Sequence, residues 1–145
     1  MKTAIRTLAF VAMTAASLPA FAQTSGSWRI DFLGPGGHSS GNYGRTSALH
    51  AASRSVMLLQ QKLPAGSYAL TNLTGGNSVN SIASDGLIEL RLTAANATAY
   101  QALVTQVTAA ANEGAAAENA FRNVRVGDLT SGAPAWIRTT VTAQP

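Results

Sequence analysis

Two short stretches hold the side chains best suited to chemistry. The first is Gly34-Pro35-Gly36-Gly37-His38-Ser39-Ser40-Gly41-Asn42, and the second is Gly75-Gly76-Asn77-Ser78-Val79-Asn80-Ser81-Ile82. His38 can give or take a proton near neutral pH. It acts on a ligand or is simply a loop histidine. Asn80 either donates to a ligand or closes its own turn by bonding nearby backbone, as asparagine often does. Gly36, Gly37, Gly75 and Gly76 read as turn formers that let chain or ligand come close, because no phosphate-loop or dinucleotide pattern surrounds them. His50 lies one turn before Arg54 on the polar side of a helical pattern and reads as a surface residue.

The elements that must position these loops follow from hydrophobic periodicity. Ser27 to Leu33 alternates, with Trp28, Ile30 and Phe32 on one side, which predicts a half-buried strand. Beyond the first glycine stretch, Leu49, Ala52, Val56, Leu59 and Leu63 recur at helical steps, and Pro64 and Gly66 end the helix. Beside them runs a stripe of small residues, Ala48, Ala51 and Ser55, which another surface could approach closely. Ser67 to Thr74 predicts a second strand with neither charge nor proline, the usual protections of an exposed edge. Ile82 to Thr93 predicts a third strand, with Ile88, Leu90 and Leu92 facing one way. A second helix begins at an Asn96 cap and buries Tyr100, Leu103, Val104, Val107 and Ala111. Phe121 to Leu129 is expected as the fourth strand, and residues 131–145 as a loosely held tail.

The order strand, helix, strand, strand, helix, strand predicts an α+β, ferredoxin-like βαββαβ fold. Two helices cover one face of a four-stranded antiparallel sheet. The first and third strands are central and the second is an edge. Arg29, Asp31, Glu89 and Arg91 then share the helix-free face as opposite charges on neighbouring strands.

Composition removes several function classes. The chain has 145 residues, no cysteine and two histidines, so a thiol metal site is impossible. No carboxylate cluster accompanies His38 and His50, and no metal centre can be assembled from them. The formal charge of +4 is scattered without a block or stripe, which argues against a nucleic-acid partner. Met1 to Ala22 has a basic tip, a short apolar centre and a small-x-small ending, the three parts of a secretory signal peptide. Its apolar part is shorter than the roughly 20 residues of a membrane span, so no stable membrane anchor is expected. Cleavage near Ala22 would give a secreted or periplasmic chain.

The two glycine stretches, the helix between them and the following Glu89-Leu90-Arg91 together resemble the dimerisation (lid) domain of one metallopeptidase family. That family includes peptidase T, glutamate carboxypeptidase, acetylornithine deacetylase and aminoacylase. The resemblance covers residues 23–130. It implies an inserted domain that pairs with its twin through an edge strand and the adjacent helix. On this chain those roles would fall to Tyr68, Leu70 and Asn72 with Ala48, Ala51 and Ser55. It also implies that His38 and Asn80 reach a neighbouring active site and help hold a substrate carboxylate or developing oxyanion, worth roughly a few kcal/mol in a dry site. Ala83 stands where the family usually has proline, and Glu89 where it usually has aspartate. The family's zinc ligands and general base lie in a catalytic domain outside this stretch. No catalytic residue and no cofactor is therefore expected in this chain, and zinc only in a partner catalytic domain.

Three functions follow as expectations. The first is an exported, non-catalytic homodimer. The second is the lid of a split zinc peptidase or amidohydrolase, completing a separately encoded catalytic domain with His38 and Asn80. The third is a small-peptide or carboxylate binding protein.

Overall fold

The computed structural model describes residues 23–145. The expected signal peptide lies outside the described residues. Ten elements follow in order: β1 Thr24–Leu33, β2 Gly37–His38, α1 Ala48–Lys62, β3 Tyr68–Thr74, β4 Ser81–Ile82, β5 Asp85–Ala94, α2 Ala97–Phe121, β6 Leu129–Thr130, β7 Ala133–Pro134 and β8 Arg138–Gln144. The main sheet has the order β3-β5-β1-β8 and every pair in it is antiparallel. Two-stranded pairs β2-β4 and β6-β7 sit apart from it. This is the predicted α+β, βαββαβ arrangement, with β1 and β5 central and β3 at one edge.

Alternation builds the core. Ile30 and Phe32 of β1 and Ile88, Leu90 and Leu92 of β5 are buried, and the same cluster takes in Leu59 of α1 and Leu103 and Val107 of α2. Each helix starts on a side-chain cap: Ser47 accepts from the His50 amide, and Asn96 accepts from the Ala99 amide. Each cap satisfies an amide that the helix leaves without a partner. On the helix-free face Arg29 grips Asp31 through two nitrogens, with Nη2 2.7 Å from Oδ1, and stands opposite Glu89. The hydrogen bond to Asp31, and next its negative charge, raise the Arg29 guanidinium above its ordinary pKa. Arg91 donates to Ser25 Oγ on the same face.

Two expectations are corrected here. Phe121 to Leu129 is not the fourth strand. The helix α2 continues to Phe121, carried through the alanine run Ala115-Ala116-Ala117, whose helix propensity is the highest available. The following segment turns on Asn123 and Gly127, both at positive φ, and leaves Val126 and Leu129 exposed. The fourth strand is β8, formed by the residues expected to be a loose tail. Ile137 is its anchor: it is buried in the core, and Asn119 of α2 bonds both its amide and its carbonyl. Thr46 Oγ1 and the Asp128 carbonyl hold Ala135 just before it.

The small-residue stripe is also reassigned. Ala48, Ala51 and Ser55 are fully buried within the single chain, so they are not an interface between copies. They receive α2, whose Gly114 comes so near that a side chain there would lie 2.8 Å from the Ser55 amide nitrogen and 2.9 Å from the Ala51 carbonyl oxygen. The close approach the stripe permits is made by the chain's own second helix.

Candidate functional site

The two glycine stretches meet. β2 and β4 pair antiparallel, with Gly37 opposite Ile82 and His38 opposite Ser81, and the Ser39 amide donates to the Asn80 carbonyl. Gly36, Gly37 and Gly76 all adopt positive φ, with Gly37 at 134°, a conformation that side chains resist. Gly75 does not, but a Cβ there would strike the Asp85 carbonyl. These glycines thus shape the chain so that His38 and Asn80 come together.

The contact is direct. Asn80 Nδ2 lies 3.0 Å from His38 Nε2. On the other side of the ring, Nδ1 faces Ser40 Oγ at 2.8 Å and the Ser40 amide at 3.3 Å. Ser78 Oγ is 2.6 Å from Asn80 Oδ1, and Asn42 Nδ2 donates to the His38 carbonyl. A backbone amide can only donate, so Nδ1 is the acceptor and the neutral ring carries its proton on Nε2. That proton meets an acceptor with the Asn80 amide turned so that Oδ1 faces Nε2, the orientation the hydrogen-bond network favours. Ser78 Oγ then accepts from Asn80 Nδ2. Both side chains are exposed. Both donors are thus spent within the chain until a ligand displaces one of these contacts. A ligand oxygen arriving at this point could accept from Nε2–H and, with the amide turned back, from Nδ2–H.

Metal chemistry does not fit these residues. The ring's neighbours are serine and asparagine, and among the described residues no group of three or more histidine, aspartate or glutamate side chains gathers.

A carboxylate that no motif in the sequence singles out forms the second constellation. Glu118 of α2 is fully buried. Its Oε1 accepts from the Ser47 amide at 3.1 Å and from Arg122 Nε at 3.3 Å, and its Oε2 from Arg54 Nε at 3.1 Å. His50 Nδ1 is 3.8 Å away, on a ring that is otherwise half exposed, in keeping with its reading as a surface residue. Arg54 and Arg122 also flank the exposed Phe121 ring, with guanidinium carbons 5.0 and 4.9 Å from its centroid. The signal was present: Val107, Ala111, Gly114 and Glu118 continue one stripe at steps of four, three and four, so position 118 belongs to the buried face.

The edge residues complete the picture. Tyr68 and Leu70 of β3 pair with Leu92 and Leu90, and after an irregularity in register Leu73 pairs with Ile88. Their partners face the helices, so Tyr68, Leu70 and Leu73 share that face, with Leu70 and Leu73 about 40% exposed. Asn72 faces the other way and bonds Glu89. Tyr68, Leu70 and Asn72 thus lie on an edge strand of the sheet formed by the described residues.

The chain resembles several solved enzymes in fold. An aminobenzoyl-glutamate utilization protein from Klebsiella pneumoniae is 14% identical, matched over 88% of this chain and 31% of its own, with a TM-score of 0.64. A hydantoinase/carbamoylase family amidase from Burkholderia ambifaria is 15% identical over 86% of this chain and 28% of its own, with a TM-score of 0.66. The aminopeptidase PepT from Bacillus cereus is 14% identical over 83% and 29%, with a TM-score of 0.59. The chain spans less than a third of each of these proteins. No curated protein matches it significantly. The profile of the peptidase dimerisation domain matches residues 22–119, taking in both glycine stretches and α1. By that match over most of its length, the chain belongs to the peptidase dimerisation domain family.

Proposed function

We propose that the chain is an exported, non-catalytic module whose work is to pair with a second copy of itself through the β3 edge, the surface flanked by α1. One observation carries this reading. β3 has no strand on its outer side among the described residues, and the C-terminal segment lies on the opposite edge as β8. An uncharged, proline-free edge with half-exposed Leu70 and Leu73 invites a strand from another molecule. Two-fold pairing there would run one sheet through both copies.

Sedimentation velocity at micromolar concentration tests the proposal. A dimer that dissociates in Leu70→Lys is expected. A chain that stays monomeric at the highest attainable concentration ends it.

A second reading rests on the His38–Asn80 contact, two donors with exposed outer faces. In this reading the module completes the active site of a separately encoded zinc hydrolase by holding a substrate carboxylate or oxyanion. Its test is reconstitution with such a catalytic domain. Activity that rises on addition of this chain, and does not rise with His38→Ala, supports it.

A further inference from the structure

Beside the His38–Asn80 pair, across the Ser78–Asn80 turn, lies a cavity of about 620 Å³ that neither residue lines. Its lining includes Arg45, His50 and Arg122, and it includes no aspartate or glutamate. The loop from Gly75 to Val79 and the side chain of Tyr43 complete the walls.

The cationic groups are fixed in place by the fold. Arg45, in the cavity wall, donates through Nη1 to the Gly36 carbonyl and through Nη2 to Ser131 Oγ, which fixes its guanidinium. Arg122 is held by Nε to the buried Glu118 and stacks on Phe121, leaving its Nη groups free of any hydrogen bond within the described residues. Glu118 is shared with Arg54, so one buried carboxylate answers two arginines and the cluster keeps an excess of positive charge. Tyr43 and Val79, also in the lining, are almost wholly exposed, leaving apolar surface uncovered among the described residues.

Held guanidinium groups in a wall that carries no carboxylate recognise planar or tetrahedral oxyanions, which they bind through charge-assisted hydrogen bonds. We propose that this cavity binds a small organic anion, its carboxylate or phosphate between Arg45 and Arg122 with His50 beside it, and its carbon body against Tyr43 and Val79. This goes beyond the pairing function, and the two do not depend on each other.

The experiment is a titration of the ¹⁵N-labelled protein followed by NMR. Inorganic phosphate is used in one series and succinate in another, at an ionic strength kept constant with chloride. Saturable shifts confined to Gly44, Arg45, His50, Gly76 to Val79 and the Arg122 side chain are expected. The more tightly held anion tells a phosphate ligand from a carboxylate one. Arg45→Gln should weaken the tighter anion about tenfold, the loss of one charge-assisted contact. His50→Ala, altering a half-exposed ring, should weaken it without disturbing the fold. Arg91→Gln removes the same charge from the helix-free face and should leave affinity unchanged. Shifts that never saturate for either anion, or an equal loss in Arg45→Gln and Arg91→Gln, mean diffuse charge attraction and overturn the proposal.

Discussion

Gly114 of α2 rests against Ser55 of α1, and no side chain fits between them. Ser55 meanwhile donates its hydroxyl to the Ala51 carbonyl at 2.9 Å, so its own polar group is satisfied inside the contact. Gly114→Ala gains about 1 kcal/mol of helix propensity. The added methyl meets backbone as well as the hydroxyl, and overpacking of this kind costs about 1–3 kcal/mol or more. The variant should be less stable on balance, by about 1–2 kcal/mol in urea unfolding. Unchanged or raised stability would show that the helices can separate freely.

Glu118 joins the start of α1 to the end of α2, so replacing it should loosen both. Glu118→Gln keeps the shape but removes the charge that answers Arg54 and Arg122. Both arginines reach solvent, which softens the loss. We expect about 2–4 kcal/mol of destabilisation, read from denaturant midpoints. Glu118→Ala should cost more, because it also leaves the Ser47 amide without its buried acceptor.

Ile137→Ala tests whether the C-terminal strand is integral. The side chain is 3% exposed and packed in the main core. Its truncation should cost about 2–5 kcal/mol. A loosely held tail would show almost no change.

His38 should carry its neutral-form proton on Nε2, visible in the ¹⁵N shifts of the imidazole ring. Asn80→Ala removes the partner of that nitrogen and should shift the tautomer balance toward a mixture. Because both side chains are exposed, stability should fall by no more than about 1 kcal/mol.

Much of this fold can be read from alternation. Ile30 and Phe32, and Ile88, Leu90 and Leu92, show their buried sides in the sequence because strand period and burial coincide. Asn96 signals a helix start for the same local reason. The last strand cannot be read this way. Arg138 to Gln144 has threonines and one valine but no strong apolar face, since its neighbour β1 and the Asn119 contact supply the order. Val124 and Val126 mimic a strand and are loop. The glycine stretches point to His38 and Asn80, but their mutual contact depends on the short β2-β4 pairing, a long-range event. Ala48, Ala51 and Ser55 announce close approach without naming the visitor, which proves to be Gly114.

The pairing of Ser27 with Gln144 has a consequence for how the molecule is made. β1 is synthesised well before β8, and until β8 emerges that hydrogen-bonding rim lies open on a growing polypeptide. Contacts between such distant positions slow folding. A ribosome-bound chain halted before Arg138 would thus display one side of β1 to any passing strand.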